Sequence, residues 1–250
     1  NKDIINKGVG GYGIDQAVLS YIYSDLKSEY VLLGIIAGDF ERSTNIMYKG
    51  LYFGGVKSKP MFDFGLDTFK IINQPALVGD KLIKEFKKRD KNKIFKYGKS
   101  YDDIIIKKEL LDISYIYRFL KMFWLHPKMI KSPIYLKQDD QISNYSYVLK
   151  IIKFFKDFAV SKNTKPIIII LGNNNTFNDR GKYINPWGNF KNDLNNIGIP
   201  FIDTSDSLYC HYNKDPKLII NDFGVHYTPF ANKIVSAASF FISYDLTWHP

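Results

Sequence analysis

A three-layer α/β/α domain around a parallel sheet is the fold class the sequence predicts. Residues 1–250 read as one domain, with 43–141 as an inserted hairpin-plus-helices segment. Three observations carry this. EYVLLGIIAG and KPIIIILGN are continuous apolar runs of strand length, the pattern of strands covered on both faces. From residue 142 onward the pattern alternates helix, strand, helix, strand, which argues for parallel crossovers. A turn dense in glycine, GVGGYG, leads directly into a helical pattern, a common arrangement at the ligand-binding end of such sheets.

Gly8, Gly10, Gly11 and Gly13 predict a turn shaped around something that approaches the main chain closely. IDQAVLSYIYSDL follows with Ala17, Val18, Tyr21, Ile22 and Leu26 at helical spacing, and Asp15 near the helix start suits the dipole there. EYVLLGIIAG is then a buried strand ending in a turn at glycine. MFDFGLDTFKII reads as a hairpin around Gly65, and ELLDISYIYRFLKMFWL as an amphipathic helix whose Phe119, Phe123 and Trp124 form a small core of the insertion. SNYSYVLKIIKFFKDFAVSKN is a helix and KPIIIILGN the second strand. GNFKNDLNNIGIPFIDTSD is a short helix leading to a third strand that ends at Asp203, and GVHYTPFANKIVSAASFFIS turns into the last helix.

With 250 residues, 45% of them hydrophobic, the chain can bury a sizeable core. Cys210 is the single cysteine, so no intrachain disulfide forms. The net charge of +10 is spread through segments such as KKRDKNKIFKYGK, as a solvated face is, and no nucleic-acid partner is expected. No apolar run approaches the ~20 residues of a membrane helix. Neither a cofactor nor a metal ion is expected. Gly8, Gly10 and Gly13 do satisfy G-x-G-x-x-G, so a dinucleotide-binding protein is one reading. That fold wants an acid at the end of its second strand. Here Glu29 opens the strand, Ala37 and Gly38 close it, and Asp39 lies beyond.

A second match spans more of the chain. INKGVGGYGIDQA, VLLGIIAGDFER and FGVHYTPFANKIVSAA resemble, in order, the second, third and fifth sequence blocks of the SGNH (GDSL-type) ester hydrolases, and GIPFIDTSD resembles the strand before the last block. These segments cover most of 1–42 and 142–242. The resemblance implies a flavodoxin-like sheet of order 2-1-3-4-5 and a serine esterase or O-acyl transferase acting on small-molecule or carbohydrate esters. It places the family's oxyanion glycine on Gly11 and its histidine base on His226.

The sequence departs from the family in three places. The family's acid stands three residues before the histidine; here that position is Phe223, and Asp222, four before, either orients His226 or leaves the role to a residue elsewhere. The oxyanion asparagine of block three corresponds to Gly38, and a main-chain amide at Gly38, or Asn45 or another residue of the insertion, would have to substitute. The Gly-Asp-Ser block and the first strand that carries it should precede the glycine turn, where only NKDIINK stands. The expectation is therefore a hydrolase lacking its first strand and nucleophile, inactive as residues 1–250. A non-catalytic glycan- or protein-binding module on the same fold is the alternative.

Overall fold

The computed structural model describes residues 3–48, 57–65, 69–88, 111, 114–117, 120, 144–173, 176–177, 187–221 and 226–245. The fold is mixed α/β and divides into two compact units. One comprises 1–23 and 38–151, the other 24–37 and 152–250.

The second unit holds the parallel sheet. Strands β1 (Tyr30–Ile35), β6 (Lys165–Ile170) and β7 (Phe201–Asp203) lie in the order β1-β6-β7. β1 and β6 are paired in parallel from Tyr30 opposite Lys165 to Ile35 opposite Ile170, and β7 joins β6 with Ile168 opposite Phe201. The four consecutive isoleucines of β6 suit a central strand because β-branched side chains pack well on a pleat buried from both sides. β1 differs from the expectation of burial on both faces. Leu33 and Ile35 are buried, whereas Leu32 is 47% exposed. As an edge strand among the described residues, β1 has an alternating half-buried pattern.

Turn chemistry fixes how the chain enters each strand. Asn163, with φ 57°, ends the helix before β6, and Thr164 donates its hydroxyl to Ser28 O at 2.9 Å, tying the start of β6 to the approach to β1. Gly198, with φ 70°, ends α5 (Gly188–Ile197) as a left-handed cap, and Ile199 N–H reaches back to Leu194 O, so the chain turns sharply into β7. α6 (Ser205–Tyr212) and α7 (Pro229–Asp245) follow β7. Between the sheet end and these helices lies a core of Phe177, Leu208, Ile219, Ile220 and Ala231.

The first unit contains α1 (Ile14–Ile22), most of α2 (Ala37–Thr44), a two-residue ladder of β2 (Met47–Tyr48) with β3 (Lys57–Ser58), a hairpin of β4 (Met61–Phe64) with β5 (Phe69–Ile72), and α3 (Gly79–Lys87). The hairpin lies where the sequence places one, flanking Gly65. Its core gathers Ile46, Met61 and Leu82, with Ile72, Leu77 and Tyr147 packed on it. The long helix α4 (Asn144–Ser161) carries the boundary between the units. Phe119, Phe123 and Trp124, and most of the helix expected around them, lie outside the described residues. No helix among the described residues is long and apolar enough to cross a membrane.

Candidate active site

In the first unit the glycine turn is a tight one. Tyr12 N–H donates to Val9 O at 3.2 Å, and Gly11, at the third position of this four-residue turn, has φ 84°. A positive φ at that position is what a type II turn requires, and it favours glycine strongly. Residues 3–9 form no strand, so G-x-G-x-x-G lacks the preceding strand that phosphate binding by this motif uses.

Gly13 is a glycine for a different reason. A Cβ there would lie 2.7 Å from Asp15 Oδ1, 2.8 Å from Ser43 N and 3.0 Å from the carbonyl carbon of Arg42, so main chain packs directly on main chain. Ser43 completes this junction. Its Oγ accepts from Ile14 N–H at 2.8 Å, satisfying one of the open donors at the start of α1, and donates to Asp39 O at 2.6 Å.

Gly38 occupies the first turn of α2 and not the open turn expected after the strand. Helix continues there because Ala37 and Phe40 are buried, Phe40 stacking on Tyr145, with the Asp39–Arg42 pair at 2.9 Å adding a little across one turn. A Cβ on Gly38 would meet nothing closer than the Arg42 guanidinium at 4.0 Å, so its surroundings are open.

Asp15, expected near the start of α1, lies there and is fully buried. Its Oδ2 is ion-paired with Lys59, which is 2% exposed, while its Oδ1 has no hydrogen-bond partner among the described residues. Burial pushes the Asp15 carboxyl up and the Lys59 ammonium down, and their mutual attraction opposes both shifts. Lys59 Nζ also donates to Ser43 O at 3.3 Å, and its own carbonyl accepts from Asn73 Nδ2 at 2.8 Å.

In the second unit His226 is exposed, in a turn before α7. Its carbonyl accepts from Asn221 N–H at 2.9 Å, and Ile220 bridges Tyr227 across the turn. Thr228 caps α7 by accepting from Ala231 N–H at 3.1 Å, with Pro229 at the first helical position. Tyr227 donates its hydroxyl to Gly172 O, two residues past the end of β6. That bond fixes the turn bearing His226 at the C-terminal end of the sheet, where ligands bind in folds of this class. Asp222 and Phe223 lie outside the described residues.

The structure thus places Gly11 and Gly38 in one unit and His226 in the other. Asp203, at the end of β7, is committed to Lys191 at 2.8 Å and to the amide and hydroxyl of Ser205. Ser43 and Ser205 are both buried and engaged in these networks, so neither presents a free nucleophile. The residues that sequence reasoning missed are Ser43 and Lys59. The available signal was Asp15, which falls within the stripe of Ile14, Val18 and Leu19 that α1 buries.

Two predictions arise here. Gly172→Ala is expected to cost roughly 1–3 kcal/mol by overpacking, since its Cβ would enter the ring of Phe177. Phe177 is 2% exposed, with Tyr212 at 4.7 Å between ring centroids, and has little room to yield. Urea unfolding followed by circular dichroism reads this cost. The second concerns alkaline stability. Burial holds the hydroxyls of Tyr147 and Tyr227 well above the ordinary tyrosine range, with the Asp15 charge adding to the rise at Tyr147. Because the folded-state values are raised, this stabilisation is full below pH ~10, where free tyrosine titrates, and falls as pH climbs above it. The urea midpoint should drop above pH 10, and Tyr227→Phe should flatten that drop.

The chain matches no protein-family model, no curated protein and no solved structure with which it was compared.

Proposed function

We propose that this chain is the body of an SGNH-type serine ester hydrolase or O-acyl transferase. Gly11 and Gly38 offer main-chain amides to an oxyanion, and His226 serves as general base. Asp222 is the candidate to orient the imidazole. The observation that carries the reading is the placing of the His226 turn at the C-terminal end of the sheet by the Tyr227–Gly172 bond. Two others support it. Gly11 adopts a positive φ within a closed turn, as a glycine in such a loop can. The order β1-β6-β7 is that of three consecutive strands, third to fifth, in a 2-1-3-4-5 sheet.

The chemistry divides among these groups in the usual way of acyl transfer. A serine hydroxyl attacks the ester carbonyl while His226 removes its proton, and the amides stabilise the charge that develops on the carbonyl oxygen. The imidazolium then protonates the departing alcohol, and water or an acceptor alcohol repeats the sequence to release the acyl group. Residues 1–250 contain no Gly-Asp-Ser. On this reading a serine in such a block is the nucleophile, and residues 1–250 alone should not turn over p-nitrophenyl acetate.

The product of the whole reading frame should hydrolyse that ester, with His226→Ala lowering kcat ~10²–10⁴-fold, the usual contribution of a positioned base. Turnover by 1–250 that disappears in His226→Ala would show that a serine within the chain is the nucleophile. Salt-sensitive glycan binding with no ester turnover in the whole product would favour the binding module.

A further inference from the structure

We propose that Ser43, held by the buried Asp15–Lys59 pair, is a positioning residue that locks the glycine turn and α2 together and so sets the two candidate oxyanion amides, Gly11 and Gly38. The inference rests on the ester-hydrolase reading. It begins from an energetic oddity. A buried ion pair is on average no better for stability than a well-packed apolar pair, because desolvation offsets the Coulomb attraction. Here main-chain amides of Asp15 and Gln16 also stabilise the carboxylate, while Oδ1 itself is buried without a hydrogen-bond partner among the described residues. A buried pair of this kind can be kept for the geometry that its direction fixes.

Its direction is informative. From β3–β4, Lys59 reaches the Asp15 carboxylate on α1 and the Ser43 carbonyl on α2, so one ammonium group touches both helices. The Ser43 hydroxyl has one proton and spends it on Asp39 O, which leaves its lone pair for Ile14 N–H. The start of α1 is therefore fastened to α2 by a hydrogen bond of fixed polarity, and Gly13 permits the close approach. Gly11 is three residues upstream of that fastening at Ile14, inside a closed turn. Gly38 is five residues upstream of Ser43 on the same rigid helix. Displacing reacting groups by about 1 Å can cost ~10² in rate, so a fastening between these segments has catalytic consequence without touching substrate.

The test uses two variants, Ser43→Ala and the apolar pair Asp15→Leu/Lys59→Met. The pair removes both charges together and leaves neither stranded. Amide hydrogen exchange of residues 9–14 in the 250-residue chain should rise at least tenfold in both, with β6 and β7 protection unchanged. In the whole reading-frame product, kcat for p-nitrophenyl acetate should fall about tenfold or more at unchanged KM, even where the urea midpoint of the double variant equals the wild-type value. Unaltered exchange in both variants overturns the fastening. Raised exchange with wild-type kcat in an active protein overturns its positioning role. Failure of the hydrolase reading would look different, as absence of ester turnover in the wild type.

Discussion

Lys59→Met is expected to destabilise the first unit by roughly 3–5 kcal/mol, the cost of stranding a buried carboxylate. Asp15 is fully buried, and Lys59 is the partner that compensates its charge. Removing the ammonium leaves Asp15 two outcomes. It can remain ionised in an apolar surrounding, or it can take up a proton, and the folded state pays in either case. The sign of the pH effect follows. In the variant the carboxyl's folded-state value rises further above its ordinary one, so the variant should be closest to wild type below pH ~4 and fall behind as pH increases. Urea unfolding at pH 4 and pH 7 measures both the cost and its pH dependence. Restoring neutrality with Asp15→Leu in the same chain should recover most of the loss. Equal stability of Lys59→Met and wild type at pH 7 would mean that the pair is not buried.

Gly13→Ala is the second large effect, expected at about 3 kcal/mol, the upper part of the overpacking range. Two of the three atoms its Cβ would meet are main chain, Ser43 N and the Arg42 carbonyl carbon, and main chain cannot rotate away as a side chain can. Relief requires α1 to move off α2, which would lengthen the Ile14–Ser43 hydrogen bond of 2.8 Å. Gly10→Ala is the control, because nothing lies within 4 Å of a Cβ there. Thermal and urea unfolding of the two variants should differ clearly, with Gly10→Ala close to wild type.

The sheet was legible because central parallel strands leave an unmistakable trace. The Ile167–Ile170 run has no polar alternation, and all of it but the half-buried Ile169 is buried. The same logic reached too far at β1, where Leu32 is exposed although its neighbours in the sequence are apolar. α2 was illegible because AGDFERST offers a glycine, polar residues and few apolar anchors; the burial of Ala37 and Phe40, with Phe40 stacked on Tyr145 about a hundred residues away, shows only in three dimensions. Lys59 was hidden in a different way. A lysine in a lysine-rich chain reads as surface, and its partner is 44 residues distant. Asp15 was read as a dipole partner at the helix start, and its burial beside Ile14, Val18 and Leu19 went unread, although a buried carboxylate demands a cation. Of the four turn glycines, Gly11 and Gly13 have the unusual φ or the close main-chain approach that the sequence suggested, and Gly10 has neither. Gly11 serves φ, Gly13 serves packing.

The most direct test of the ester-hydrolase account is labelling of the whole reading-frame product with a fluorophosphonate, with the modified residue mapped by mass spectrometry. The account predicts a single labelled serine in a Gly-Asp-Ser context and labelling that is slowed at least a hundredfold in His226→Ala. Labelling of no serine, or labelling that proceeds equally fast without His226, would contradict it.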